Sequence, residues 1–165
     1  MGSGKSTVGQ HLSRQLGFPF RDLDSEIENS ESMTVPDIFK TKGEIYFRKR
    51  ESIVLTEVLN TDENLVLALG GGTPCYGNVM ELLKNQTNCT SIYLKISLDV
   101  LTKRLFVEKS ERPLIAHITK EDDLKDFVRK HLFERSYYYN QAHTSIDVSE
   151  SSVEKTVESI VATLF

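Results

Sequence analysis

Residues 1–7, Met1-Gly2-Ser3-Gly4-Lys5-Ser6-Thr7, carry the most specific pattern in the chain. It matches the downstream part of the phosphate-binding pattern G-x-x-x-x-G-K-[ST]. Its glycines let the backbone turn tightly and point N–H groups inward, and the start of a following helix favours an anion there. Lys5 would then reach the β- and γ-phosphates of a nucleotide, and the Ser6 hydroxyl would bind Mg²⁺. The alternative interpretation is a Gly/Ser-rich N-terminal tail.

Length, charge and cysteine content limit the classes of protein to consider. With 165 residues, the chain has the size of one domain with a continuous core. Its net charge of −4, without a basic tail, argues against an extended nucleic-acid surface. Cys75 and Cys89 match neither a metal-ligand spacing nor a disulfide framework, which suits a reducing compartment. No apolar run has the length of a membrane span and no signal peptide is visible, so we expect a cytoplasmic enzyme that binds neither nucleic acid nor membrane.

Apolar periodicity predicts strands that alternate with helices. The predicted strands are residues 19–22, 65–69, 90–96 and 144–148. The predicted helices are residues 5–16, a short one capped by Thr34 and interrupted by Gly43, 44–59, 79–84, 98–106, 120–138 and one after Ser151 or Ser152. The apolar run 65–69 has the pattern of a strand buried on both faces. This order predicts an α/β fold with a parallel sheet covered on both faces by helices, and ligands gather beyond the carboxyl ends of such strands.

Two acidic residues, Asp22 and Asp24, come directly after the first predicted strand. Residues two apart in an extended segment point to the same side, so both carboxylates are predicted to face the crevice near Lys5. One of them would hold Mg²⁺, and the other would accept or position the proton of an alcohol. The alternative is a capping pair at the start of a helix.

Three consecutive glycines, Gly70, Gly71 and Gly72, end the apolar run of the second predicted strand. A backbone without Cβ atoms can approach a ligand closely and offer it N–H groups, whereas the alternative is a flexible turn.

Arginines supply candidate anion contacts. Arg48 is suited to binding a carboxylate with two parallel hydrogen bonds, although a solvated helix face with a Glu44–Arg48 ion pair explains the same segment. Arg112, in an irregular stretch, and Arg135, on the long helix, have similar alternatives.

Five segments together resemble the shikimate kinases, small P-loop kinases of the nucleoside-monophosphate-kinase type. They are G-S-G-K-S-T at 2–7, D-L-D at 22–24, I-F-x-x-x-G-E-x-x-F-R-x-x-E at 38–51, L-G-G-G at 69–72 and R-P-L at 112–114. The resemblance covers essentially the whole chain. It implies one monomeric P-loop domain with three layers, α/β/α, a substrate-binding region at about 24–60 and a mobile lid at about 107–119. The family's parallel sheet has the order 2-3-1-4-5, and its central strand 1 would precede Met1, so we expect a kinase sequence that was trimmed or started late.

The resemblance also implies a reaction, the ATP-dependent phosphorylation of the shikimate 3-hydroxyl on the route to chorismate and the aromatic amino acids. The implied ATP-binding residues are Gly2, Ser3, Gly4, Lys5, Ser6, Thr7, Arg104 and Arg112, and the implied Mg²⁺ ligands are Ser6 and Asp22. The implied substrate-binding residues are Asp24, Arg48, Gly70, Gly71, Gly72 and Arg135. Lys5, Asp24 and Arg112 would be catalytic, with Asp24 as the base and Arg112 as the lid arginine.

Two other functions are compatible with the same residues. One is a kinase for another small metabolite, such as gluconate. The other is a nucleotide-binding relic that carries out no chemistry. A GTPase-type switch is disfavoured because the chain has no N-K-x-D motif for reading the base.

Overall fold

Helices and short parallel strands alternate along the chain, as the sequence predicts. The computed structural model describes residues 2–112 and 114–165. The helices are α1 (Lys5–Leu16), α2 (Leu23–Glu31), α3 (Val35–Leu59), α4 (Val79–Asn85), α5 (Leu98–Val107), α6 (Glu121–Tyr139) and α7 (Val153–Leu164). The strands are β1 (Phe20–Asp22), β2 (Val66–Ala68), β3 (Ile92–Lys95) and β4 (Thr144–Asp147). Two short 3₁₀ helices cover Thr73–Cys75 and Lys109–Glu111.

The strands form two parallel pairs. β1 pairs with β2 so that Phe20 is opposite Val66, and β3 pairs with β4 so that Ile92 is opposite Thr144. These are the pairs that the order 2-3-1-4-5 contains when strand 1 is left out. The expectation that the run 65–69 is buried on both faces is wrong, because only Ala68 is buried and the other four residues are half-buried. Within the described residues β2 has β1 as its one hydrogen-bonded neighbour, so its other edge lacks a strand.

Two compact units can be described separately. The N-terminal unit comprises Ser6–Cys89, and the C-terminal unit comprises Thr90–Phe165 together with residues 2–5. The prediction that the whole chain is a single domain stays a prediction.

The N-terminal unit has its core where α2 meets α3. Leu23, Ile27, Ile38 and Leu55 have no exposed surface. Thr34 caps α3 as predicted, with its hydroxyl oxygen accepting from the backbone N–H of Asp37.

Gly43 interrupts α3, also as predicted, because its φ of +83° lies in the region that favours glycine. The kink divides α3 into residues 35–42 and 44–59, so that both parts can pack against α2.

Helix α2 was not predicted from the sequence. Its nine residues include two buried apolar ones, Leu23 and Ile27, four positions apart on one face, and the remaining residues are polar or charged. A pattern of one apolar pair is too short to distinguish a helix from a polar loop. Tertiary burial of that pair stabilises the helix.

The C-terminal unit buries one face each of α5, α6 and α7. Leu105 and Leu124 have no exposed surface, and Ile160 is 2% exposed. Ser152 caps α7, which decides between the two predicted candidates.

The described part of the stretch 107–119, predicted to be irregular, contains the short 3₁₀ helix Lys109–Glu111 and a buried Ile115, whereas Pro113 of the predicted R-P-L segment lies outside the described residues. Across the described residues, no helix has both the length and the apolar character needed to cross a bilayer.

Candidate active site

The phosphate loop has the backbone that the glycine pattern predicts. Gly2 has a φ of +69° and Gly4 a φ of +82°, and α1 begins immediately afterwards at Lys5. At Gly2 an added Cβ would also lie 2.8 Å from Leu105 Cδ2, whereas at Gly4 the space is open. Gly4 is therefore required for its conformation, and Gly2 for both conformation and space. The N–H groups of the first turn of α1 have no partner within the helix, which suits them for an anion.

Asp22 links the end of β1 to the phosphate-loop helix. Its Oδ1 accepts a hydrogen bond from the backbone N–H of Asp24 at 3.0 Å, and its Oδ2 accepts from Ser6 Oγ at 3.5 Å. The predicted extended geometry is wrong, because β1 ends at Asp22 and Asp24 already lies in the first turn of α2. Asp22 is the N-cap of α2. The alternative interpretation, a residue that caps a helix, is therefore correct for Asp22 Oδ1. The other oxygen brings Asp22 to Ser6, its expected partner in binding Mg²⁺.

Asp24 lies against the first glycine of the triple. β1 and β2 are parallel and in register, so the segments that follow Asp22 and Ala68 leave the sheet at the same edge. A Cβ added at Gly70 would lie 3.2 Å from Asp24 Oδ1 and 3.0 Å from Thr73 Oγ1. A side chain at Gly70 would crowd these two neighbours, while the φ of Gly70 is not in the left-handed region. The glycine run is thus a surface against which polar side chains gather.

Arg48 lies against the last glycine of the triple. A Cβ at Gly72 would lie 2.8 Å from Arg48 Nη2 and 3.1 Å from Nη1. The guanidinium donates from Nη1 to Glu51 Oε2 at 2.8 Å and lies 4.0 Å from the centre of the Tyr76 ring. Its Nε is buried without a hydrogen-bond partner in the part of the chain that is described. With 19% of its side chain exposed, Arg48 is a half-buried cation.

The charge of Arg48 is held by its acidic neighbours. Burial acts to lower its pKa, but the hydrogen bond with Glu51 and the charges of Glu51 and Glu44 outweigh burial, and the pKa is raised. The predicted ion pair with Glu44 is present, at 3.6 Å from Nε, although the shorter contact is with Glu51. Arg48 therefore stays positively charged, and its predicted role in binding a carboxylate stays a prediction.

Glu51 is a site residue that the sequence reasoning did not select. It is 3% exposed and joins two elements, since Oε2 accepts from Arg48 and Oε1 accepts from Thr73 Oγ1 at 2.6 Å. A buried carboxylate costs free energy unless it is paired, so Glu51 and Arg48 depend on each other. The signal was available, because the two residues are three positions apart on a helix.

The remaining predicted arginines lie in the C-terminal unit. Arg112 Nη2 donates to Glu108 Oε2 at 2.7 Å, and its buried Nε has no hydrogen-bond partner among the residues described. Arg104 on α5 and Arg135 on α6 are half-buried. Their roles in binding nucleotide or substrate stay predictions.

The histidines and cysteines show no sign of a metal centre. Neither Cys75 nor Cys89 forms a disulfide, and burial raises the pKa of the Cys89 thiol. His143 Nδ1 bonds with Ser91 Oγ at 2.8 Å, which joins the starts of β3 and β4. Over residues 2–112 and 114–165, no group of three or more His, Cys, Asp or Glu side chains could hold a metal ion by itself.

Comparisons with known proteins agree on one family. The family model described as shikimate kinase matches residues 1–165. A shikimate kinase of Flavobacterium johnsoniae is 46% identical over 161 residues, which are 98% of this chain and 92% of that protein.

Solved structures give the same result. The crystal structure of shikimate kinase from Bacteroides thetaiotaomicron is 34% identical with a TM-score of 0.89, and covers 99% of this chain and 93% of its own. Shikimate kinase from Acinetobacter baumannii in complex with shikimate is 33% identical with a TM-score of 0.84, over 99% of this chain and 88% of its own. These likenesses confirm the predicted α/β fold of a P-loop kinase. The chain belongs to the shikimate kinase family.

Proposed function

We propose that this chain transfers the γ-phosphoryl group of ATP to the 3-hydroxyl of shikimate, giving shikimate 3-phosphate and ADP on the route to chorismate. The observation that carries the proposal is the arrangement around Arg48. A half-buried cation lies beside the glycine run, Gly70–Gly72, and is oriented by a buried carboxylate, that of Glu51. Such an arginine suits a substrate that carries a carboxylate.

The nucleotide half of the reaction depends on the phosphate loop. Gly2, Ser3 and Gly4 would present backbone N–H groups to the phosphates, Lys5 would bind the β- and γ-phosphates, and Thr7 would complete the first helical turn. Ser6 and Asp22 fit a magnesium ion, because a hydroxyl and a carboxylate oxygen already face each other at 3.5 Å. When bound, Mg²⁺ would neutralise part of the negative charge on the phosphates.

The substrate half depends on Asp24, Arg48 and the glycine run. Arg48 would anchor the shikimate carboxylate, and Gly70–Gly72, Gly71 chiefly, would contact its hydroxyls through the backbone. Asp24 would accept the proton of the 3-hydroxyl as that oxygen attacks the γ-phosphorus. Because the substrate would be held at both ends, most of the rate enhancement would come from positioning and charge stabilisation.

Three arginines of the C-terminal unit would complete the reaction. Arg112, in a lid formed by about 107–119, would stabilise the charge that develops on the transferred phosphoryl group. Arg135 would add a contact to the substrate, and Arg104 would stack on the adenine. We propose that the enzyme is a monomer with one functional domain and a substrate-binding region at about 24–60. We propose a cytoplasmic location, which suits two cysteines that form no disulfide.

The proposal is tested by an assay that measures ADP release in the presence of shikimate. The purified chain is incubated with ATP, Mg²⁺ and either shikimate or gluconate, and the phosphorylated product is identified by ³¹P NMR. We expect ADP release with shikimate and none with gluconate. Turnover with gluconate but not shikimate would assign the chain to the rival kinase class. Nucleotide binding without transfer to either compound would identify an inactive relic.

A further inference from the structure

Tyr76 lies directly over the guanidinium of Arg48. The ring centre of Tyr76 is 4.0 Å from Arg48 Cζ, within the range of a cation–π contact. Tyr76 follows the short 3₁₀ helix Thr73–Cys75 that the glycine run leads into. The contact therefore joins the segment that follows the glycine run, Gly70–Gly72, to α3.

A hydrogen bond connects the same tyrosine to a second acidic neighbour of Arg48. Tyr76 Oη donates to Glu44 Oε1 at 2.9 Å, and this oxygen lies 3.6 Å from Arg48 Nε. Tyr76, Glu44 and Arg48 thus form a closed triangle of contacts. Since Glu51 and Gly72 restrict the other end of the guanidinium, the side chain of Arg48 is constrained from several directions.

The surroundings of Tyr76 do not explain its presence by core packing. Its side chain is 42% exposed and lines an open groove of about 500 Å³ between α3 and the start of α4. The groove is also lined by Ile45, Lys49 and Asn78. A half-exposed ring contributes less burial than a core residue, so its contact with Arg48 is the more informative feature.

We infer that Tyr76 is a positioning residue whose ring holds the Arg48 guanidinium in the orientation that receives the substrate carboxylate. This inference rests on the proposed function. A free arginine side chain populates many rotamers, and restricting them beforehand reduces the entropy that substrate binding costs. Tyr76 acts through Arg48 on the carboxylate, so its effect belongs to shikimate affinity and not to the chemical step.

The experiment compares Tyr76→Leu with Tyr76→Phe in steady-state kinetics. Tyr76→Leu removes the aromatic face, and we expect the KM for shikimate to rise about fivefold, with kcat and the KM for ATP unchanged. Tyr76→Phe keeps the ring and is expected to restore the KM to within about twofold of the unmodified protein. Asn78→Ala is the matched control, because Asn78 lines the same groove and its side chain makes no capping hydrogen bond to α4.

Coupling to Arg48 separates positioning from a general structural effect. Shikimate affinity is measured by calorimetry for Tyr76→Leu alone and in an Arg48→Ala background. In the Arg48→Ala background we expect Tyr76→Leu to leave shikimate affinity unchanged, because no guanidinium remains for Tyr76 to hold. An equal loss of affinity in both backgrounds, or a parallel loss of kcat and ATP affinity, would overturn the inference.

An NMR measurement keeps the inference testable if shikimate is not the substrate. The Arg48 Nε–H signal is identified by its disappearance in Arg48→Ala. We expect the ring current of Tyr76 to shift this signal, so that it moves in Tyr76→Leu and stays in place in Tyr76→Phe. If the signal keeps its chemical shift in both variants, Tyr76 does not position Arg48. Failure to bind shikimate together with the expected NMR shifts would overturn the proposed function alone.

Discussion

The phosphate loop and the surroundings of Arg48 use glycine for different reasons. In the loop, Gly4 is required because its φ is +82°, and no neighbouring atom would touch an added Cβ. Beside Arg48, Gly72 has an ordinary φ of −87°, but an added Cβ would lie 2.8 Å from the guanidinium. The loop is one continuous stretch that would bind phosphate through its backbone, whereas the Arg48 region joins α2, α3 and the glycine run, Gly70–Gly72. The first depends on local conformation, and the second on space created by tertiary packing.

The largest effect is expected from Lys5→Ala in the loop. Loss of the cation that would bind the β- and γ-phosphates should lower kcat about 10³-fold, since its charge acts where negative charge develops. Single-turnover kinetics with saturating ATP measure the chemical step directly. A kcat within about tenfold of the unmodified enzyme would remove Lys5 from the mechanism.

Asp24→Asn tests the acidic residue of the substrate side. The amide cannot accept the proton of the substrate hydroxyl, so we expect kcat to fall about 10²- to 10³-fold while nucleotide affinity is retained. Nucleotide affinity is measured by calorimetry on the same sample. If turnover is unchanged, Asp24 is not the base.

Arg48→Ala should affect the substrate side and leave the phosphate loop unaffected. Loss of a charge-assisted contact is expected to raise the KM for shikimate about 10²-fold and to leave ATP affinity unchanged. Lys49→Ala is the matched control, a neighbouring exposed cation on the same helix. The methyl ester of shikimate sharpens the comparison, because it lacks the carboxylate charge and should bind equally weakly to Arg48→Ala and to the unmodified protein. Equal losses of shikimate and ATP affinity would contradict the assigned contact.

Gly72→Ala and Gly17→Ala test the two uses of glycine. The first should displace the guanidinium and raise the KM for shikimate about tenfold. Gly17 has a φ of +69° with open space around it, so its replacement should lower the free energy of unfolding by about 1 kcal/mol without changing the KM. Kinetics and thermal unfolding on both variants check the pair, and a KM effect at Gly17 would break the distinction.

The smallest effect on stability is expected at Glu31 of α2, which forms ion pairs with Lys42 and Arg50 in the two parts of α3. Hydrogen bonds from Lys42 and Tyr46 lower the pKa of this carboxyl group. A lowered folded-state pKa means stability that is present above the ordinary pKa of 4.5 and is lost as the pH falls through the folded-state value. Glu31→Gln should therefore destabilise the protein slightly at pH 7 and flatten its acid-side loss of stability. Thermal unfolding between pH 3 and pH 7 measures both, and an unchanged acid limb would exclude the contribution.

Sequence reasoning succeeded where a pattern is local. The phosphate-loop glycines, the cap at Thr34 and the kink at Gly43 each depend on the conformation of a few neighbouring residues, and all three are present. It failed for Asp24, which was predicted in an extended segment although it lies in the first turn of α2. The reason is that Leu23 and Ile27 are recognisable as a helical face only once α3 covers them.

The sequence by itself determined the phosphate loop, the alternation of strands and helices, and the set of motifs that places the chain in its family. These features follow from backbone preferences and periodicity, which are properties of neighbouring residues. Only the folded protein shows that Glu51 also binds Thr73, that Tyr76 covers Arg48 and that Gly72 leaves room for the Arg48 guanidinium. Those contacts join α3 to the glycine loop, segments more than a dozen positions apart, and the packing of the N-terminal unit brings them together.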